Sequence, residues 1–450
     1  MESLARYLTP EEAADLLREQ CRELGADEVA VVKNLDFVAA PFEFYPLAPR
    51  NPGPLERVAA FAVDMDGTST TTEPLALHAL EYMVRRVTGR MSKDQWSGLD
   101  PVRDHPFVIG NSNFRHTEFL LTRYRDWVKR ELVAEAFIES ALWTLSNMED
   151  RRRREDVLLN ATNCGLGAML EDDNFRAATS EPGLEGERLA QECRTMTTRF
   201  ATLFRPATFS AEVSASLDVY YTRYHTILQA VERGEGERLS HELLGEGGRR
   251  LIEPMPGYGV FLALIKGLLG EEAGRLAPVL GGEDAETEIV AALGCRFAKA
   301  PAKIALVTAS ISYEAHAVVQ EVFRVMAEEA RQWDVSPETQ ERAVRAFSDH
   351  RAFYDGFVTA SDSSEARLKP HRDLFSIALY QMGLRKDEYR YCIGLEDTEP
   401  GIIALRAAGV GCAVALPNHD TGRQDYRAAA HVLHGGLPEL ILRHNLLLAD

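Results

Sequence analysis

The feature that most constrains this chain is an apolar run without alternation, Val58 to Val63, which ends on Asp64 and is followed by Asp66 in "AAFAVDMDGTSTTTEPL" (59–75). A strand that keeps an apolar residue at every position is buried on both faces, as in a parallel sheet covered by helices. In open α/β sheets the reactive groups collect just beyond the carboxyl ends of the strands, which is where Asp64 and Asp66 fall. Further strand-like runs occur at "KIALVTAS" (303–310), "FYDGFVTASD" (353–362), "YRYCIGLED" (389–397) and "GCAVALPN" (411–418), separated by helical segments such as "HRDLFSIALYQMGL" and "EPGIIALRAAGV". Strands alternating with helices predict a doubly wound parallel sheet, here split in sequence.

The material between the first strand and the rest has helical periodicity, as in "EPLALHALEYMVRRVTG", and shows no fixed-period repeat. A chain of 450 residues is long enough for two or three domains. We expect residues 58–74 plus 300–450 to form the α/β core and 75–299 an inserted helical domain. Residues 1–57 are expected as an accessory arm. It opens with a helix over 9–24, where Thr9 is the N-cap, Pro10 the first helical residue and Glu11 and Glu12 lie in the first turn. Short β-like runs follow, and "PRNPGP" reads as a linker.

Lys plus Arg number 50 against 69 Asp plus Glu, a net charge of −19, which disfavours nucleic acid and anionic lipid as partners. The basic run Arg151 to Arg154 lies among acids and reads as a solvated helix face. Six cysteines show no C-x-x-C pair, so neither a zinc site nor a disulfide framework is indicated. With no window near the roughly 18 apolar residues of a membrane span, and acids where a secretory signal would be apolar, a cytoplasmic location is expected.

Three later features join the aspartate pair. "ALVT" ends on Thr308, Lys369 stands in "RLKPHRDLF" before a helix, and "YCIGLED" ends on Glu396 and Asp397. In this order "DMDGT", "LVTAS", "KPHRDLF" and "GLEDTEPGIIALRAAG" resemble the four motifs of the haloacid dehalogenase (HAD) superfamily. The last is similar above all to the β-phosphoglucomutase-like and phosphatase branch. The resemblance covers residues 58–75 and 300–420.

It implies a HAD-like Rossmannoid core with a large C1-type helical cap, and a Mg²⁺-dependent phosphatase acting on a small, sugar-phosphate-like metabolite as monomer or homodimer. Asp64 is then the nucleophile that forms an aspartyl-phosphate, and Asp66 the acid and base. Mg²⁺ is held by Asp64, the Asp66 carbonyl and Asp397, with Glu396 as helper. Lys369 balances charge, and Thr308, Ala309, Gly67 and Thr68 lie around the phosphoryl group. The second carboxylate, Asp66, separates phosphoryl transfer from dehalogenation.

The block between the first two motifs occupies the place of the cap. Its loop "SGLDPVRDHPFVIGNSNFRHTEF" gathers Arg103, His105, Asn111, Asn113, Arg115 and His116, a candidate substrate-facing set; the other reading is caps and turn hydrogen bonds. Ala76 stands where β-phosphoglucomutases carry a histidine, and His78, two residues on, is turned by roughly 200° on a helix. This counts against a phosphomutase, which stays as the enzymatic alternative, with a non-catalytic binding protein on the same scaffold as the alternative of another class. The long stretch between Thr308 and Lys369 suggests a second lid or a dimer surface.

Overall fold

The computed structural model describes residues 7–35, 38–110, 112–244, 250–443 and 445–447. The chain divides into two compact units, one made of 1–71, 252–315 and 319–450, the other of 72–251 with 316–318.

The first unit holds a hairpin of β1 (Val29–Lys33) and β2 (Phe42–Pro46) and a six-stranded sheet. The sheet strands are β3 (Ala60–Asp64), β4 (Lys303–Val307), β5 (Gly356–Val358), β6 (Cys392–Glu396), β7 (Cys412–Ala415) and β8 (His431–Val432). They run parallel in the order β5-β4-β3-β6-β7-β8. The chain builds outward one way through β5, then crosses back and builds the other way from β6. The reversal places a crevice between the carboxyl ends of β3 and β6, the switch point where such sheets bind ligands. This is the Rossmannoid core that the motifs imply.

All five residues of β3 are buried. Ala60 and Ala62 pack with Leu374, Phe375, Ile402 and Leu405 from two helices, Asp373–Gln381 and Glu399–Ala407. On the other face the Phe61 ring meets Phe261 edge-on at 5.1 Å and Phe297 at 6.5 Å. Small side chains on one face and a large one on the other let helices close on both, which explains the missing alternation.

Phe261 and Phe297 also explain where the inserted block ends. The helix Tyr258–Ile265 is buried at all eight positions, and with Thr287–Lys299 it covers the sheet. Residues 252–299, expected in the helical domain, thus belong to the sheet unit, and the other unit closes at Leu251. The stretch between β4 and β5, expected as a lid or dimer surface, supplies the buried rings Phe323, Trp333, Phe347 and Phe353, with Phe323 and Phe353 at 5.4 Å. "PRNPGP" is pinned rather than loose: Asn51 N–H donates to the Gly411 carbonyl at 3.0 Å, and the Pro52 carbonyl lies 2.7 Å from His431 Nε2. The helix Pro10–Leu24 has the capping box of Thr9 and Glu12.

Among its described residues the second unit's regular elements are all helices, built around the long Arg130–Asn147 and Phe209–Glu232. The basic run departs from a solvated face here. Arg151 is exposed, but Arg153 is buried, donates to Asp218 at 2.5 Å and lies over the Tyr221 ring. All six cysteines are free thiols. No helix among the described residues is long and apolar enough to cross a membrane.

Candidate functional site

The carboxyl end of β3 delivers Asp64, and the adjacent end of β6 delivers Glu396 and, one residue on, Asp397. The three carboxylates are buried and bring ligand oxygens within 4.8 Å of one another. Lys369, from the loop before Asp373–Gln381, reaches in beneath them. Its Nζ is bonded to Asp64 Oδ1, lies 2.8 Å from Glu396 Oε1, and sits 5.1 Å from the centre of the Phe375 ring.

One ammonium thus faces a surplus of buried negative charge. Burial pushes the Asp64 carboxyl well above its ordinary range against the pull of Lys369, and Glu396 and Asp66 add to the push. Burial works against the Lys369 ammonium too, but Asp64 and Glu396 outweigh it and hold the proton more firmly than in water. A buried anionic cluster that its own cation does not neutralise is costly unless a further cation completes it. Oxygen-only carboxylate donors fit a hard divalent ion such as Mg²⁺.

The remaining groups set orientation. Thr308 Oγ and Ser310 Oγ both donate to Asp66 Oδ2, at 3.2 and 3.0 Å. Glu396 Oε2 accepts the N–H and hydroxyl of Thr398, both at 2.8 Å. Asp397 accepts from Thr68 Oγ at 3.1 Å and from Asn418 Nδ2 at 2.8 Å, and its carbonyl accepts the Tyr426 hydroxyl. Gly67 has φ of +80°, and a Cβ there would overlap the Asp397 carboxylate, so glycine is required on both counts. The main-chain carbonyl of Asp64 accepts Ser69 Oγ at 2.6 Å.

Asp64, Asp66, Thr308, Lys369, Glu396 and Asp397 therefore converge. Ala309 follows Thr308, half-buried. Gly67 and Thr68, expected beside a phosphoryl group, are engaged within the loop: the Gly67 N–H donates to the Thr70 carbonyl at 3.0 Å, and the Thr68 hydroxyl serves Asp397. Arg103, Arg115 and His116 lie in the helical unit. There the Arg103 N–H caps onto Asp100 at 3.0 Å and the Arg115 N–H onto Ser112 Oγ at 3.4 Å. His116 is buried, and burial pushes its ring down to about 3. His105 opens a short helix and Asn113 a longer one, and Asn111 lies outside the described residues. His78 faces Arg223 at 3.1 Å, and burial together with Arg223 and Arg85 pushes its ring down to about 4.

Sequence reasoning missed Ser310, Thr398, Asn418 and Tyr426. Asn418 could have been found by applying the strand-end rule to "AVALPN" as it was applied to the other strands.

The fold and the site together define a Rossmannoid α/β protein with a carboxylate–lysine centre at its switch point. No family model matches the sequence, and none of the curated proteins matches it. Among solved structures the chain is similar to CbbY from Rhodobacter sphaeroides in complex with phosphate, at 14% identity over 85% of this chain and 96% of that one, with a TM-score of 0.38. It is similar too to a HAD hydrolase, family IA, variant 3, from Entamoeba histolytica, at 12% identity over 86% and 97%, with a TM-score of 0.36. With likeness this distant, the chemistry of the site is read from the chain's own residues.

Proposed function

We propose that this chain is a HAD-type phosphoric monoester hydrolase acting on a small phosphorylated metabolite through an aspartyl-phosphate at Asp64. The observation that supports it most is the meeting of Asp64, Glu396 and Asp397 with Lys369 on one side and the Asp66–Thr308–Ser310 group on the other.

Phosphate monoesters resist attack because their oxygens repel anionic nucleophiles, so catalysis must position the attacker and offset charge. Asp64, held by Lys369, attacks phosphorus, and the bond from phosphorus to the ester oxygen breaks. Asp66, protonated, gives its proton to that departing oxygen. The resulting carboxylate takes a proton from water as the water attacks the phosphoryl group, releasing inorganic phosphate and regenerating Asp64. The hydroxyls of Thr308 and Ser310 fix the Asp66 carboxyl for both transfers. Mg²⁺ held by Asp64, Asp397, Glu396 and the Asp66 carbonyl would supply fixed positive charge against the phosphoryl oxygens.

Purified protein screened against phosphorylated metabolites is expected to release phosphate with Mg²⁺ and to stop on chelation. A full panel without Mg²⁺-dependent release would overturn the reading. Isomerisation of a sugar phosphate in place of release would move the chain to the phosphomutases.

A further inference from the structure

The N-terminal residues were the part of the chain with no assigned role, yet they hold two of the segments that build the site. β2 presents Glu43 and Tyr45 on one face, with Tyr45 buried. Glu43 accepts Arg367 NH1 at 2.7 and 2.6 Å, while the same guanidinium makes two parallel bonds to Asp373, at 2.9 and 2.8 Å. Such planar, charge-assisted pairing fixes direction as well as distance. The Tyr45 hydroxyl donates to Glu43 Oε2 at 2.6 Å and lies 2.9 Å from His371 Nδ1. With its single proton on Glu43, Tyr45 accepts from His371. The Arg372 guanidinium covers the Tyr45 ring at 5.5 Å. Although burial works against it, Arg367 and Tyr45 hold the Glu43 carboxyl down to about 2, so the grip keeps its charge at neutral pH.

Residues 367, 371, 372 and 373 are thus tied to the hairpin or to the helix it braces. Lys369, between them, points the other way to Asp64 and Glu396. A second tie reaches the other segment. Arg406, fully buried on the helix that follows Asp397, donates to the Ala48 carbonyl at 2.9 and 2.6 Å and to Glu28 Oε2 at 2.6 Å.

Resting on the hydrolase reading above, we propose that the N-terminal hairpin is a clamp for the catalytic loop, with Tyr45 and Glu43 as positioning residues that hold Lys369 on the nucleophile. A lysine ammonium is a point charge on a flexible stem, so its placement depends on where its backbone is fixed. A misplacement of about 1 Å in a catalytic group costs up to roughly a hundredfold in rate.

The test compares Tyr45→Phe and Glu43→Gln with wild type and with Val31→Ser on the hairpin's exposed face. Turnover of p-nitrophenyl phosphate with Mg²⁺ is measured alongside hydrogen exchange over residues 366–376. We expect kcat to fall about tenfold or more with KM within about twofold, because Lys369 acts on the attacking group and not on substrate capture. Exchange in the loop should quicken, and Val31→Ser should change neither. A drop in melting temperature with kcat per folded molecule unchanged would reduce the hairpin to a purely structural role and overturn the proposal, as would faster exchange without loss of kcat. A wild type that hydrolyses nothing would sink the hydrolase reading instead. The clamp is then decided by exchange alone, supported by a quickened loop and overturned by an unchanged one.

Discussion

Two buried ionic clusters, one in each unit, each set a single basic side chain among acids, to opposite ends. In the helical unit Arg153 meets Asp218 at 2.5 Å and Asp156 at 3.5 Å, and Asn160 donates to the second Asp218 oxygen at 2.8 Å. Charge is answered within the cluster, and Tyr221 roofs the guanidinium. At the sheet rim a single ammonium, Lys369, stands among Asp64, Glu396 and Asp397. The first cluster is closed and holds helices together. The second is short of positive charge, and a protein tolerates that where a ligand supplies the balance.

The contrast can be broken most decisively at Asp64. Asp64→Asn is expected to lower phosphate release by roughly three orders of magnitude or more, since the attacking oxygen is gone. It should leave the metal-free melting temperature equal or higher, because it removes one of three buried carboxylates that share a single ammonium, and Lys369 keeps Glu396 as its partner. Steady-state assays and calorimetry on the same preparation check both.

Asp218→Ala should do the reverse. It strands Arg153 in the interior and is expected to cost about 3 kcal/mol of stability, with turnover per folded molecule unchanged. Urea unfolding measures the loss.

Mg²⁺ should raise the melting temperature of the wild type, by about 2.7 kcal/mol of stabilisation at a hundred times its dissociation constant. Asp397→Asn should remove most of that increment, and thermal scans with and without chelator decide it. An equal increment in the variant would show that Asp397 is not a ligand.

The smallest effect concerns His116. Its folded value lies below its unfolded one, so the stability it contributes is complete above about pH 6.5 and is lost as pH falls from there towards about 3. His116→Gln should flatten the acid limb by about 1.4 kcal/mol at pH 5.5, seen in urea midpoints across pH.

Much of the site could be read from the sequence because strand ends announce themselves. An apolar run that stops on Asp64, or on Glu396 and Asp397, shows both a strand and what it delivers. Ser310 and Asn418 were less visible because a hydroxyl or amide after a strand is ordinary turn chemistry until a carboxylate is found opposite it. The two-residue β8 is too short to carry a pattern at all. Arg153 was misread because a run of arginines gives no sign of which one turns inward.

By itself, then, the sequence determined the alternation of strands and helices, the strand ends that carry the buried carboxylates, and the acidic character of the whole. These depend on local pattern, since burial on two faces fixes composition residue by residue. Only the tertiary structure decided that 252–299 covers the sheet, that Arg153 is interior, and that the N-terminal hairpin grips Arg367 and His371 on either side of Lys369. Each of these turns on pairings between residues far apart in sequence, such as Phe61 with Phe261 or Glu43 with Arg367. A contact of that kind leaves no periodic trace in either segment.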